Sequence, residues 1–359
     1  MEHHRILFVV EAMGGGIFSY IVDLANELSA RYDIWIAHGI RPETPKDYKK
    51  YFHKNIQLIR IRHFTRSVDL IKDVQALLEL WQITREICPD VIHLHSSKAG
   101  VVGRIAFWNS QIPLFYTPHG YSFLMKNQKT IVQCMYRMIE SVCSHARCTS
   151  ISCSLGEHKE TLKLTKRAIQ IDNGVNIKAL QKTIDAFTAF RQPEGHPFTV
   201  YTLGRICFQK NPSLFNQIAI ALPDVQFLWI GDGEMRQVLD APNITVTGWV
   251  EHTQAIQLAL SADAFILTSL WEGLPISLLE SMYMKKPCIV SDVEGNHDVI
   301  HTGSNGFVCR RLEEFLQAIR SIQREFPSEM VEKSYDSICQ HYNTEEMARQ
   351  YEKAYFGTI

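Results

Sequence analysis

Two glutamates stand eight positions apart in the segment Thr268-Ser269-Leu270-Trp271-Glu272-Gly273-Leu274-Pro275-Ile276-Ser277-Leu278-Leu279-Glu280. Glu272 falls in a strand-to-helix loop, where Gly273, Leu274 and Pro275 lead into a helix whose first backbone N–H groups attract an anion. Glu280 falls on that helix, about 2.2 turns further on, along a face that is otherwise apolar. A buried carboxylate needs a partner. The pair suits recognition of hydroxyl groups, one carboxylate for a sugar ring and the other for a ribose.

Cations stand near a second strand end. Gly204-Arg205 follows the apolar run Phe198–Leu203, and Lys210 lies five residues beyond Arg205. A fixed guanidinium fork beside a flexible ammonium suits a diphosphate, although two surface cations give the same pattern. Gly14-Gly15-Gly16 follows the run Arg5–Val10 and opens a helix. That arrangement fits either a tight turn or a phosphate contact. It is not the GxGxxG of a nicotinamide-binding strand–turn–helix, and no acidic residue ends the second strand.

Histidines form a third group. His119, in Thr117-Pro118-His119-Gly120, follows a strand and precedes a glycine. His93 and His95 alternate along a strand and so share one face; a core place is expected for His93, and His95, near the strand's end, is a candidate acceptor contact lining the cleft. Ser97 and Lys98 follow as candidate acceptor contacts, beside Ser96. No Asp-x-Asp pair occurs in the chain. Sugar transferases that use a divalent ion hold it with such a pair, so the expectation is that no metal or other cofactor is required.

These residues need strand ends to hold them. Apolar runs at Arg5–Val10, Tyr32–His38, Val91–Leu94 and Pro113–Thr117 alternate with helical periodicity at Ile17–Leu28, Val68–Ile87 and Ser97–Trp108. The alternation restarts at Phe198–Leu203 and continues through Val225–Ile230, Ile244–Thr247 and Ala264–Thr268, with Cys288–Ser291 closing the series. This reads as two consecutive Rossmann-like, doubly wound parallel α/β lobes. The expected division is 1–190, 191–341 and 342–359. Arg191–His196 is the linker, and the last segment is an amphipathic helix crossing back to the first lobe. Ligands of such sheets sit beyond the carboxyl ends of strands, which predicts a site in a cleft between the lobes.

Bulk composition agrees with two domains: 359 residues, 46% hydrophobic and 21% charged. No apolar run approaches the ~20 residues of a membrane span, and the start of the chain has no leader pattern. Both point to the cytoplasm. Nine cysteines without a CxxC pair read as reduced thiols rather than a zinc site. Residues 1–180 hold 23 Lys and Arg against 16 Asp and Glu, while the rest hold 14 against 22. The basic density peaks over Lys46–Arg66, with Tyr48, Tyr51 and Phe52 interleaved. That stretch is either a solvated loop or a contact with anionic lipid headgroups, worth roughly 1 kcal/mol per basic residue at the inner face of the cell membrane.

Taken in order, the motifs resemble family 4 retaining glycosyltransferases of bacterial surface polysaccharide and glycolipid assembly. The resemblance runs through the Gly14–Gly16 loop, Pro89-Asp90-Val91-Ile92-His93, Thr117–Gly120, Asp172-Asn173-Gly174-Val175-Asn176 and Gly204-Arg205 with Lys210. It continues in Gly231-Asp232-Gly233, Gly248-Trp249-Val250, the Glu272–Glu280 element and Asn305-Gly306. It implies a GT-B fold and transfer of a sugar, with retention, from a nucleotide diphosphate sugar. UDP-sugars are favoured over GDP-sugars, and the acceptor is a lipid-linked saccharide or oligosaccharide.

By the same resemblance, Glu280 binds the donor ribose, and Glu272 with the N–H groups of Gly273, Leu274 and Pro275 holds the sugar ring. Arg205 and Lys210, after Gly204, stabilise the diphosphate, which Gly15 and Gly16 approach. His119 faces the reacting sugar, and Gly231 and Val250 line the base pocket. The family's Lys-Gly is here Lys210-Asn211, so the lysine is kept and the glycine is not. The alternatives are an epimerase of the UDP-N-acetylglucosamine 2-epimerase type, which would alter the donor without an acceptor, and a non-catalytic nucleotide-sugar-binding subunit.

Overall fold

The computed structural model describes residues 4–11, 13–41, 44–65, 69–125, 128–187 and 196–357. Two compact units emerge, Met1–Asn173 with Thr344–Ile359, and Gly174–Asn343.

In chain order the first unit contains β1 (Arg5–Val10), α1 (Gly15–Leu28), β2 (Asp33–His38), β3 (Gln57–Arg60), α2 (Leu70–Ile87), β4 (Val91–His95) and α3 (Ser97–Ala106). Then come β5 (Leu114–Thr117), α4 (Thr130–Cys143), β6 (Cys148–Ser152), α5 (Leu155–Leu162) and β7 (Ala168–Gln170). The second unit contains α6 (Ile177–Phe187), β8 (Thr199–Leu203), α7 (Pro212–Ala221), β9 (Gln226–Ile230), β10 (Ile244–Val246), α8 (His252–Leu260) and β11 (Ala264–Leu267). It ends with α9 (Ile276–Tyr283), β12 (Cys288–Ser291), β13 (Phe307–Cys309), α10 (Leu312–Arg324) and α11 (Ser328–Gln340). The final helix, α12 (Thr344–Phe356), belongs to the first unit.

Each unit is built on one parallel sheet, ordered β3-β2-β1-β4-β5-β6-β7 and β10-β9-β8-β11-β12-β13. Helices cover both faces of each sheet, so the central strands are apolar on both sides. In β1 every residue from Ile6 to Val10 is fully buried. Strand order reverses between β1 and β4, and again between β8 and β11. The register lines up Val10 with His95 and His95 with Thr117. The chemistry-bearing loops of the first unit therefore leave the sheet side by side at its reversal point, where open α/β sheets bind ligands.

The structure revises several sequence expectations. The first boundary falls at Asn173/Gly174, not at 190/191, because α6 packs on the second unit: Leu180 is buried in its core, and Tyr283 donates to Gln181 Oε1 at 2.8 Å. The second falls at Asn343/Thr344. Of the expected linker, residues 191–195 lie outside the described residues. Cys288–Ser291 does not close the second sheet, since β13 pairs beyond it through Ile289–Phe307, Val290–Val308 and Ser291–Cys309. In the basic stretch, Lys46, Lys49, Lys50 and Lys54 are exposed, but Tyr48 and Phe52 are buried in the first unit's core. Its aromatic residues are packing groups rather than surface anchors; Arg66 lies outside the described residues.

Helix α12 carries Met347, Ala348, Tyr351 and Tyr355 into the core that holds Tyr20, Ile21 and Phe8. The Tyr20 hydroxyl donates to that of Tyr351, and Arg31 Nη2 lies 2.6 Å from Glu352 Oε1. The last helix is thus a structural part of the first unit. Among the described residues no helix is long and apolar enough to cross a membrane.

Candidate active site

In the second unit the loop after β11 is tied to the loop after β8. Leu270 N–H donates to Gln209 O at 2.8 Å, and the Thr268 hydroxyl donates to Lys210 O at 2.8 Å. These bonds bring Lys210 Nζ to 2.6 Å from Glu272 Oε1. The same carboxylate accepts from the Ser269 hydroxyl at 2.6 Å and from Gln209 Nε2 at 3.3 Å. Only 7% of the Glu272 side chain and 16% of the Lys210 side chain is exposed. Charges withdrawn this far from water persist only when paired and hydrogen-bonded. Gln209 and Ser269 had no signal of their own in the sequence.

Asn211 explains the missing glycine. It adopts φ 52, the left-handed region that Asn tolerates without a glycine's freedom. Its side chain accepts from Leu214 N–H and caps α7, which Pro212 begins.

Beneath the Glu272 loop, Gly295 approaches so closely that a Cβ there would lie 1.8 Å from Gly273 O. The Ser291 hydroxyl donates to Ser269 O at 2.6 Å. The sugar-binding candidates thus rest on the β12 loop. Leu274 is buried and Pro275, at the N-cap of α9, has no N–H to give. The expectation of a donor at Pro275 is corrected on that ground. The first turn of α9 instead carries the N–H groups of Ile276 and Ser277, and no side chain caps it.

Glu280, 6% exposed on α9, meets His252 at the start of α8: Nε2 lies 2.6 Å from Oε1. His252 was missed because the two residues are 28 positions apart and meet only when α8 and α9 are placed. Gly231 and Gly248 form an isolated bridge, and Val250, two residues beyond Gly248, packs partly buried against the second unit's core. A Cβ on Gly231 would lie 2.2 Å from Gly204 O. Arg205 Nε lies 3.0 Å from Glu234 Oε2, and both side chains are partly open to solvent.

In the first unit, α1 begins at Gly15 with no side-chain cap and no acidic residue in its first turn. Its N-terminal N–H groups therefore suit an anion. A Cβ on Gly15 or Gly16 would meet nothing within 4 Å. His119, at φ 54, stacks on His95 and meets Tyr20 edge-on. Burial pushes its pKa down to about 3. His93 and His95 are also held neutral by burial. His93 is a core residue, bonded to Tyr355 at 2.5 Å and Thr117 at 2.9 Å.

His95 is fully buried, so the expected acceptor contact there is replaced by a contact with His119: Nδ1 to Nε2 is 3.1 Å. His95 Nε2 is buried without a partner. An orphaned N–H costs more than an orphaned lone pair. The proton accordingly sits on His95 Nδ1, His119 Nε2 accepts it, and His119 carries its own hydrogen on Nδ1. Lys98 is drawn to Asp73 at 2.7 Å, and Ser97 Oγ accepts from Ser122 at 2.9 Å.

The loop holding His119 has an anchor the sequence did not reveal. Buried Glu157, in the first turn of α5, accepts from Gly120 N–H at 2.6 Å and from Cys153 N–H at 2.8 Å. Its signal was Ser154-x-x-Glu157, a capping box, but the carboxylate reaches beyond its own helix.

Comparison with known proteins adds the family. "Glycosyltransferase Family 4" matches residues 14–178, and "Glycosyl transferases group 1" matches residues 197–325. The chain is 28% identical over 298 residues to the Escherichia coli UDP-Gal:alpha-D-GlcNAc-diphosphoundecaprenol alpha-1,3-galactosyltransferase, covering 75% of each. It superposes on sucrose-phosphate synthase from Thermosynechococcus elongatus with a TM-score of 0.82 at 16% identity, over 98% of both chains. Against Anabaena HepE in complex with UDP-glucose the TM-score is 0.77 at 18% identity, over 99% of this chain and 100% of that one.

Proposed function

The chain belongs to the family 4 glycosyltransferases, and from that premise we propose that it transfers a sugar from a UDP-sugar to a lipid-linked saccharide, with retention and without a divalent ion. Its two parallel Rossmann-like sheets are a GT-B fold.

One observation carries the donor half of this reading. Lys210 and Glu272 form a half-buried pair beyond the carboxyl ends of β8 and β11, with buried Glu280 on the helix that follows. A sugar diphosphate offers both members better-matched partners, phosphate oxygens for the ammonium and hydroxyls for the carboxylate. Glu280 would hold the ribose diol with His252 behind it. The roles that resemblance gives to Gly15, Gly16, His119, Gly231 and Val250 are part of the same proposal.

The leaving diphosphate gathers negative charge as the glycosidic bond breaks. Lys210, Arg205 released from Glu234, and the first-turn N–H groups of α9 would answer that charge electrostatically, the role a metal ion fills elsewhere. UDP is favoured because the E. coli relative is named for a UDP-sugar and HepE was solved with one. The lipid-linked acceptor follows from the diphosphoundecaprenol in that relative's name. Surface polysaccharide or glycolipid assembly is the corresponding setting.

The test is a thermal-shift screen over UDP, GDP, ADP and their sugars, followed by transfer assays with the ligand that stabilises, each with chelator and with magnesium. Preferential stabilisation by UDP compounds and chelator-insensitive transfer are expected. Activity that is lost with chelator and restored by magnesium would contradict the metal-independent chemistry.

A further inference from the structure

We propose that the outward faces of α2, α3 and α4 form a docking surface for an anionic phospholipid bilayer. The proposal rests on the lipid-linked acceptor reading and assigns it a surface.

The three helices cover the same face of the first sheet. Their inner sides, including Ala76, Leu80, Ala99 and Val102, are buried in one core with Leu94 and Tyr116. They also touch each other. Trp81 Nε1 on α2 donates to Ala106 O on α3 at 2.7 Å. Arg104 on α3 lies 2.6 Å from Glu140 on α4, with both side chains buried. The outer sides therefore make one continuous surface.

A helix packed on a sheet normally turns charged residues outward. Here Ile71, Val74 and Leu78 on α2, Ile105 on α3, and Met135 and Met138 on α4 point to solvent, each at least 43% exposed. On α2 the spacing 71, 74, 78 is a single stripe; on α4 positions 135 and 138 are another. Contiguous apolar surface of this kind marks a site of association.

Charge selects the partner. Arg62, Lys72, Arg85, Lys129 and Arg137 are exposed on or beside these helices. Arg62 is held against α2 by its N–H bond to Glu79 at 2.8 Å. Most of the carboxylates are turned to partners within the unit, Asp69 to Lys72, Asp73 to Lys98, Glu79 to His63 and Glu140 to Arg104, while Glu86 is exposed and accepts from Gln82 at 2.9 Å. An apolar face rimmed by cations matches a bilayer with anionic headgroups. A second copy docked about a two-fold axis would instead oppose like charges. The surface differs from the Lys46–Arg66 stretch, whose Tyr48 and Phe52 are committed to the core.

The test is flotation of the full chain with vesicles of phosphatidylcholine alone and with an equal share of phosphatidylglycerol. The parent should float with the anionic vesicles, and more weakly as salt rises. The double variant Leu78→Glu/Met138→Glu should lose at least about tenfold in partitioning while keeping its UDP-induced rise in Tm. A double variant that floats as well as the parent would overturn the proposal. So would a parent that stays in solution with both vesicle types, or one that light scattering shows to be a dimer the variant disrupts. Absence of a UDP-induced Tm rise in the parent speaks against the donor reading alone; the flotation result still decides the docking surface.

Discussion

Lys210 Nζ and Glu272 Oε1 lie 2.6 Å apart, so the cation and the carboxylate of the candidate donor site neutralise each other within the fold. A donor must draw Lys210 toward its diphosphate, which frees Glu272 for the sugar. Lys210→Ala should then lower kcat about 10²-fold, the scale of losing one oxyanion donor. Steady-state transfer kinetics give the answer, and a near-parental kcat would remove Lys210 from the mechanism.

Glu280 and His252 make the second prediction. If the carboxylate holds the ribose, Glu280→Gln should weaken UDP binding at least about tenfold, or about 1.4 kcal/mol. His252→Ala should give a smaller loss in the same direction, since it removes only the group that orients the carboxylate. Calorimetric titration with UDP separates the two, and unchanged affinity in Glu280→Gln would place the ribose elsewhere.

Gly231 tests the backbone of the proposed base pocket. Its φ of 139, and the 2.2 Å that would separate an added Cβ from Gly204 O, leave no room for alanine. Gly231→Ala should destabilise the protein by more than about 2 kcal/mol. Urea titration would show a lowered midpoint with an unchanged slope.

Acid should unfold the protein through its histidines. His93, His95 and His119 have folded pKa values below their unfolded value. Their contribution is complete above the unfolded pKa and is lost as pH falls toward the folded one, because only the unfolded chain takes up the protons. Between pH 7.5 and 5.5 His119, held down to about 3, costs roughly 1 kcal/mol, and His93 and His95 add to the loss in the same direction. Chemical denaturation at the two pH values measures the loss. Replacing the buried core residue, His93→Gln, should flatten the dependence.

Glu157 should act on turnover without touching the nucleotide. Glu157→Ala leaves the Gly120 and Cys153 N–H groups without their buried acceptor, costing about 1–3 kcal/mol for each. With the loop of His119 loosened, kcat should fall while UDP affinity holds. Equal loss of both would assign Glu157 to global stability only.

Much of this was legible in the chain because it is local. Apolar runs such as Ile6–Val10 mark strands buried on both sides, and the 3.6-residue period of α2 survives in its burial at Ala76, Leu80, Ile83 and Ile87. Four strands were not legible: β3, β6 and β7 interleave polar residues such as Gln57, Ser150 and Gln170, and β13 has only three residues, although β10 of equal length was read. The boundary at Asn173 was hidden because α6 precedes the Pro- and Gly-containing stretch that reads as a linker, although its apolar face belongs to the second core.

The order of amino acids was enough to specify the alternation of strands and helices, the family motifs and the glutamates at 272 and 280. Each follows from neighbours within a turn or a strand, where backbone geometry dictates spacing. The partners were settled in three dimensions: His252 for Glu280, Glu157 for Gly120, and Tyr351 for Tyr20 across 331 positions. Folding also turned Arg205 to Glu234 and buried His95 against His119. Sheet order brings such groups together, and a hydrogen bond reaching about 3 Å depends on where the chain has been carried, not on how far along it the residues lie.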